Sequence, residues 1–233
     1  MNGLQATRAD EACWLTDVTV NVVLFTLRSR DLQVCLVRSA DIPGAGWSLP
    51  GGSVHAEEAL DDAAMRLLRD QAAVEGVYLQ QLYTFGAPER DPNRRVICIA
   101  YFALVSADRL EQTGPLAGAD GPIWHSMYAL PALVLDHAAI LDYALTRLRF
   151  KIEYSAVAFE LMPEEFTLRE LQDAYMVILN DTKLDKANFR KKIRDARIVE
   201  PVNRYRATGG RPARLYRFRT DAQLETKARR FFP

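Results

Sequence analysis

Residues 18–27 (VTVNVVLFTL) begin by alternating apolar and polar positions and then become continuously apolar. Residues 32–37 repeat the apolar run after the turn-like Ser29-Arg30-Asp31, so the two segments predict a strand pair. A third extended element breaks at Leu49-Pro50-Gly51-Gly52. From Glu57 to Ala73 the positions Leu60, Ala64, Leu67 and Leu68, with Val74 just beyond, recur at helical spacing, which predicts a helix directly after the diglycine. Strand-like runs return at residues 77–85 and 96–105, separated by a loop holding Pro88, Asp91, Pro92 and Asn93. The first half is therefore mixed α and β.

Ile140, Leu141, Ala144, Leu145 and Leu148 line one face of a further helix, with Asp136 placed to cap its free amides and close a first domain. A new pattern then opens without a Gly/Ser linker. Thr167-Leu168-Arg169-Glu170 fits a capping box, and Leu168, Leu171, Ala174, Tyr175 and Ile178 form the stripe of the helix behind it. Asn180-Asp181-Thr182 turns the chain. Asp185 caps a second helix to about Ala196, with Phe189, Ile193 and Ala196 inward, and strands near residues 199–206 and 213–219 flank Gly209-Gly210. Helix, turn, helix, hairpin is a winged-helix order, and it predicts two domains, 1–152 and 153–233.

Charge sharpens that division. The 233 residues carry no net charge, yet residues 1–150 hold 12 basic and 18 acidic side chains and the remainder holds 18 and 12. Residues 183–219 alone hold thirteen Lys or Arg against three acids. So concentrated a positive field attracts polyanions, above all nucleic acid. Projected as a helix, the side opposite Phe189 and Ile193 presents Lys191 and Arg194, flanked by Asn188 and Arg190, with Lys186 at the N-terminal end that enters a groove first. Arg211 and Arg214 are the candidates from the hairpin; Asp195, near the same face, counts against the assignment. Cys13, Cys35 and Cys98 lack metal-ligand spacing and read as reduced thiols, and His55, His125 and His137 form no cluster, so no zinc site is expected. With no signal-like N-terminus and no membrane-length apolar run, a cytoplasmic location is expected.

The segment Gly52-x5-Glu58-x7-Arg66, preceded by Trp47-Ser48-Leu49-Pro50-Gly51, resembles the Nudix signature GX5EX7REUXEEXGU, with U apolar. Leu67 stands where that pattern has the glutamate after arginine, Asp70-Gln71 replaces Glu-Glu, and Ala73 replaces the later glycine. In Nudix hydrolases those glutamates hold magnesium; here Glu58 and Asp70 remain as carboxylates for weak magnesium binding, and no resident cofactor is expected. Asp62, Arg66 and Asp70, four residues apart, suggest an ion-pair ladder instead.

Together with Tyr83-Thr84-Phe85-Gly86, Arg90-Asp91-Pro92, Ala100-Tyr101-Phe102-Ala103-Leu104, Phe166-Thr167-Leu168, Asn188-Phe189-Arg190 and Gly210-Arg211-Pro212, the box is similar to the Nudix-related transcriptional regulators, the NrtR family. The resemblance implies an α+β chain: a Nudix-like α/β/α sandwich with a mixed sheet, then a winged helix-turn-helix. It further implies a homodimer on a palindromic double-stranded operator, repression of NAD synthesis or salvage genes, and ADP-ribose or a related nucleotide as effector. Effector candidates beside the box helix are Arg38, Trp47, Arg66, Arg90, Arg94 and Tyr101. Two alternatives stay open: a magnesium-dependent hydrolase of ADP-ribose-like nucleotides, and a regulator of sugar catabolism.

Overall fold

The computed structural model describes residues 16–39, 46–112, 121–154, 156–181, 183–207, 209 and 211–219. Cys13, Thr182 and Gly210 lie outside these.

The spine is β1 (Asp17–Arg28), which turns through Ser29-Arg30, both at positive φ (52° and 59°), into antiparallel β2 (Asp31–Arg38). Consecutive left-handed residues match the twist of a two-residue hairpin. On its other side β1 runs parallel to β6 (Val96–Ser106), from Asp17 opposite Val96 to Leu27 opposite Ser106. Antiparallel β5 (Tyr78–Phe85) forms the outer edge. Short strands complete a seven-stranded mixed sheet: β3 (Trp47–Ser48) and β7 (Ile123–Ser126) on β2, and β4 (Gly51–Ser53) on β1.

Alternation along β1 divides the apolar residues between the two faces. Val20, Val22 and Leu24 pack with Leu67 and Leu68 of helix α1 (Leu60–Ala72), whereas Val23 and Phe25 join Leu141, Leu145 and Leu148 of helix α3 (His137–Tyr154). A six-residue α2 (Ala107–Gln112) follows β6. This is the expected three-layer sandwich. Two local expectations fail. Helix α1 starts at Leu60, leaving Glu57 and Glu58 in the preceding turn. The Asp136 carboxylate does not cap α3, because Arg90 takes both of its oxygens; the Asp136 carbonyl receives Ala139 and Ile140 N–H instead.

Helix α3 runs past residue 152, and a 3-10 segment (Ala156–Leu161) leads into β8 (Phe166–Thr167). Helix α4 (Leu168–Leu179) opens with the capping box: Glu170 N–H donates to Thr167 Oγ1 (3.1 Å) and Thr167 N–H to Glu170 Oε2 (2.7 Å). Helix α5 (Lys186–Asp195) is capped by Asp185, which accepts from Asn188 N–H at 2.7 Å. Strands β9 (Val199–Arg206) and β10 (Ala213–Phe218) form the hairpin, with β8 as a third strand beside β10. One uninterrupted apolar cluster runs from Val23 and Phe102 through Ile152, Leu161 and Phe166 to Tyr175, Phe189 and Ile193. The two halves share a core. No helix among the described residues is long and apolar enough to cross a membrane.

Candidate functional site

The box loop is fastened from beneath. Gly51 lies so close to β1 that an added Cβ would sit 2.1 Å from Asn21 Nδ2 and 2.7 Å from the Val20 carbonyl, so only glycine fits. Gln71 reaches up from α1, accepting from Gly51 N–H and donating to Gly51 O, both at 2.9 Å. Leu67 is 3% exposed and packs inward with the sheet. Glu58 is engaged by a forked Arg66 (Nε–Oε1 2.6 Å, Nη2–Oε2 2.8 Å), and the Arg66 hydrogen bond lowers its carboxyl pKa to about 2. The expected Asp62–Arg66–Asp70 ladder is not formed, because Arg66 folds back to Glu58, while Asp70 is half exposed and beside Arg69 (3.5 Å).

These residues do not fit a magnesium cage. A hard divalent cation requires several converging oxygen ligands, but Leu67 offers none, the Gln71 amide is spent on Gly51, and Glu58 is held by a cation. Among the described residues no three His, Cys, Asp or Glu side chains converge.

Of the effector candidates, Arg38 and Trp47 come together: the guanidinium lies 4.1 Å above the indole, whose edge meets His125 at 4.7 Å between centroids. Arg66 sits beside Ser53, donating to its carbonyl at 3.2 Å. Arg94 is on the surface between Asp17 (3.1 Å) and Asp91 (3.3 Å). Two candidates are corrected. The Arg90 side chain is 3% exposed and forks onto Asp136 (2.8 and 3.0 Å), which makes it a structural cation. Tyr101 is 1% exposed, with its hydroxyl 2.5 Å from Asp61, so its ring is unavailable for stacking on a ligand. A separate cleft of about 540 Å³ lies between the β1–β2 turn and α4, bordered by Arg30, Asp108, Arg169 and Asp173; it is not beside α1.

The second constellation is cationic. On α5, Phe189 and Ile193 are buried, Phe189 meeting Tyr175 edge-on at 5.3 Å, while Lys186, Asn188, Arg190, Lys191 and Arg194 are exposed. Arg211 and Arg214 are exposed at the hairpin, and Gly209 there adopts φ 68°. Arg204 pairs with Glu165 and Arg206 with Glu170, which braces β9 against the start of α4 and leaves Tyr205 61% exposed between them.

Helix α4 is also gripped from the sandwich. Arg30 pairs with Asp173 at 2.9 Å, Arg149 Nε donates to the Ile178 carbonyl at 2.9 Å, and the Tyr128 hydroxyl donates to the Val177 carbonyl at 2.5 Å. The last two satisfy carbonyls in the final turn, where intrahelical partners run out. At the opposite end of α3, His137 Nδ1 accepts from Leu49 N–H at 3.1 Å. Burial lowers the His137 pKa to about 4, so the ring is a neutral acceptor. Helix α3 thus connects the box loop with the helix that precedes α5.

A family model of the NUDIX domain matches residues 16–146, and one of the NrtR DNA-binding winged helix domain matches residues 158–218. The chain belongs to the NrtR family. It is 34% identical over 206 residues to an ADPR responsive transcriptional repressor, NtrR, of Acinetobacter baylyi, covering 86% of this chain and 81% of that protein. Shewanella oneidensis NrtR, crystallised with a 27mer DNA, superposes with a TM-score of 0.78 at 32% identity, covering 92% of this chain and 97% of that one. The NUDIX domain of the Shewanella protein, cocrystallised with ADP ribose, gives 0.51 at 31% identity, covering 59% and 92%. As an NrtR-family regulator, the chain combines the two modules anticipated from its sequence. Sequence reasoning passed over Gln71 as a binder of Gly51, the His137 acceptor, the Arg149 and Tyr128 donors, and Tyr205. Only Gln71 carried a signal, as a departure from the box.

Proposed function

We propose that the chain is an ADP-ribose-responsive transcriptional repressor, with residues 1–152 sensing the nucleotide and residues 153–233 holding operator DNA. The single observation that carries this reading is the sided helix α5, pinned by Phe189 and Ile193 and presenting Lys186, Asn188, Arg190, Lys191 and Arg194 outward against one exposed acid, Asp195. A helix of that character enters the major groove, where Lys and Arg reach phosphates and guanine and Asn pairs with adenine. Membership of the NrtR family, with relatives that are ADP-ribose-responsive or were crystallised with ADP ribose, supports that nucleotide as effector.

The protein acts as a homodimer in the cytoplasm, on a palindromic operator. A 27mer duplex like that bound by the Shewanella relative is roughly 90 Å long, enough for two winged helices on half-sites one helical turn, about 35 Å, or a multiple of it apart. Genes of NAD synthesis or salvage are the proposed targets. Nucleotide hydrolysis is not the primary activity, since Leu67, Gln71 and the Arg66-bound Glu58 leave no magnesium cage.

Arg38 and Trp47 offer the effector a cation and a ring beside β3. The grip of Arg149, Tyr128 and Arg30 on α4 conveys its binding toward α5. Coupling requires that ADP-ribose bind the DNA-competent and incompetent arrangements with unequal affinity. The test is a gel shift on the protein's own upstream region, with and without ADP-ribose, alongside ADP-ribose turnover with magnesium. Operator binding altered by the nucleotide is expected; efficient turnover without sequence-specific DNA binding would reverse the assignment in favour of a hydrolase.

A further inference from the structure

We infer that the outward face of α3, with the β5 edge beside it, is where a second copy of this chain docks about a two-fold axis. The inference rests on the dimeric reading above and names its surface. Ala139, Asp142, Tyr143, Thr146, Arg147 and Phe150 are all exposed and follow one another at intervals of three, one, three, one and three, a single stripe of α3 opposite its buried face. Phe150 is 54% and Tyr143 41% exposed. Tyr143 packs on Tyr83 of β5 (5.1 Å, 53% exposed) and meets Phe85 edge-on (6.0 Å), so these three rings form one aromatic patch beside Phe150. Clustered apolar surface of this kind marks an interface.

The neighbouring strand points the same way. β5 ends the sheet and reads YLQQLYTF, with no charge and no proline. Free edges are ordinarily blunted by charged side chains or proline; here a bulge between Gln81 and Tyr83 is the sole such device along the strand.

Self-complementarity selects another copy over a different partner. In a two-fold interface residue i meets j and j meets i. Setting two α3 helices antiparallel about the point between Ala144 and Leu145 brings Asp142 opposite Arg147, Tyr143 opposite Thr146 and Ala139 opposite Phe150, each twice. Opposite charges face one another, and both exposed rings of α3, Tyr143 and Phe150, meet a small side chain. Neither Asp142 nor Arg147 makes an ion pair within the chain among the described residues.

A charge exchange on the full-length protein tests this by sedimentation velocity across a dilution series. Asp142→Arg and Arg147→Asp are each expected to weaken the dimer by ~10-fold or more, because each sets like charges opposite at two places. The double exchange restores it to within about three-fold of the original, the pattern of a directly coupled pair. A dimer unaffected by both single exchanges would overturn this surface while leaving the dimeric regulator intact. A wild-type chain that stays monomeric and binds one per operator would overturn both. A monomer in which Thr146→Cys resists thiol reagents would place another part of the same chain on the face, and would equally sink the proposal.

Discussion

Gln71 holds Gly51 through both its backbone N–H and its carbonyl, at 2.9 Å each, from a position where the Nudix pattern has a glutamate. A carboxylate can accept from the Gly51 N–H but cannot donate to its carbonyl. The amide side chain therefore braces the loop in a way that a glutamate at this position could not.

In Gln71→Glu, the Gly51 carbonyl loses its donor and faces a negative oxygen, which is expected to cost about 1–3 kcal/mol. The melting temperature should drop by roughly 2–12 °C for a chain of this size. Magnesium-dependent ADP-ribose hydrolysis should not appear, since Leu67 still supplies no oxygen. Turnover in this single variant would show that the box needs fewer carboxylates than argued.

Arg90 and Asp136 form a buried forked pair, so truncating one partner strands the other's charge. Arg90→Ala is expected to lose about 3–5 kcal/mol in urea unfolding, against less than about 1 kcal/mol for the exposed Arg94→Ala. Equal losses would return Arg90 to the surface.

His137 gives stability a pH dependence. Its folded pKa, about 4, lies below the ordinary 6.5, so the unfolded chain takes up the proton first. This contribution is complete above pH 6.5 and is lost as pH falls toward 4, amounting to about 3 kcal/mol. His137→Asn keeps an acceptor for Leu49 N–H without titrating there. Urea midpoints between pH 7 and 4.5 should fall less steeply in that variant than in the wild type; parallel curves would assign the slope to other groups.

On α5, Lys191→Ala and Arg194→Ala should each weaken operator binding and lower the salt slope by about one if the contact is to phosphate. Their unfolding midpoints should be unchanged, both side chains being exposed. Anisotropy titrations at three salt concentrations measure both effects, and unaltered affinity in the two variants would take α5 out of the groove.

Arg149→Met removes the donor to the Ile178 carbonyl while keeping much of the side chain's bulk. Operator affinity without effector should stay within a few-fold, while the response to ADP-ribose, expected among the ~5–150-fold couplings typical of allosteric proteins, should shrink toward none. An undiminished response would mean that the signal does not pass through this grip.

Local signals were the ones the sequence carried well. Thr167 with Glu170 and Asp185 with Asn188 are contacts three residues apart, so both caps could be read directly. The failures came from distant partners. Asp136 looks like a cap until Arg90, 46 residues away, claims it, and Arg66 looks like the centre of a ladder until a later helix start leaves Glu58 free to fold back over it. Tyr101 and Arg90 were plausible ligand contacts by residue type alone, and only burial withdrew them. Backbone partners such as the Leu49 N–H and the Val177 and Ile178 carbonyls have no side-chain signature, so the roles of His137, Tyr128 and Arg149 had to await the fold.

The apolar cluster that passes from β1 through Phe166 to Phe189 has a practical corollary for anyone who would exchange reading heads between relatives. A graft cut at a sequence boundary severs that packing and exposes Val157, Leu161 and Phe166 to water. A workable chimera has to carry the end of α3 and the partners of these side chains on the sheet, and heating it should melt both parts in one step.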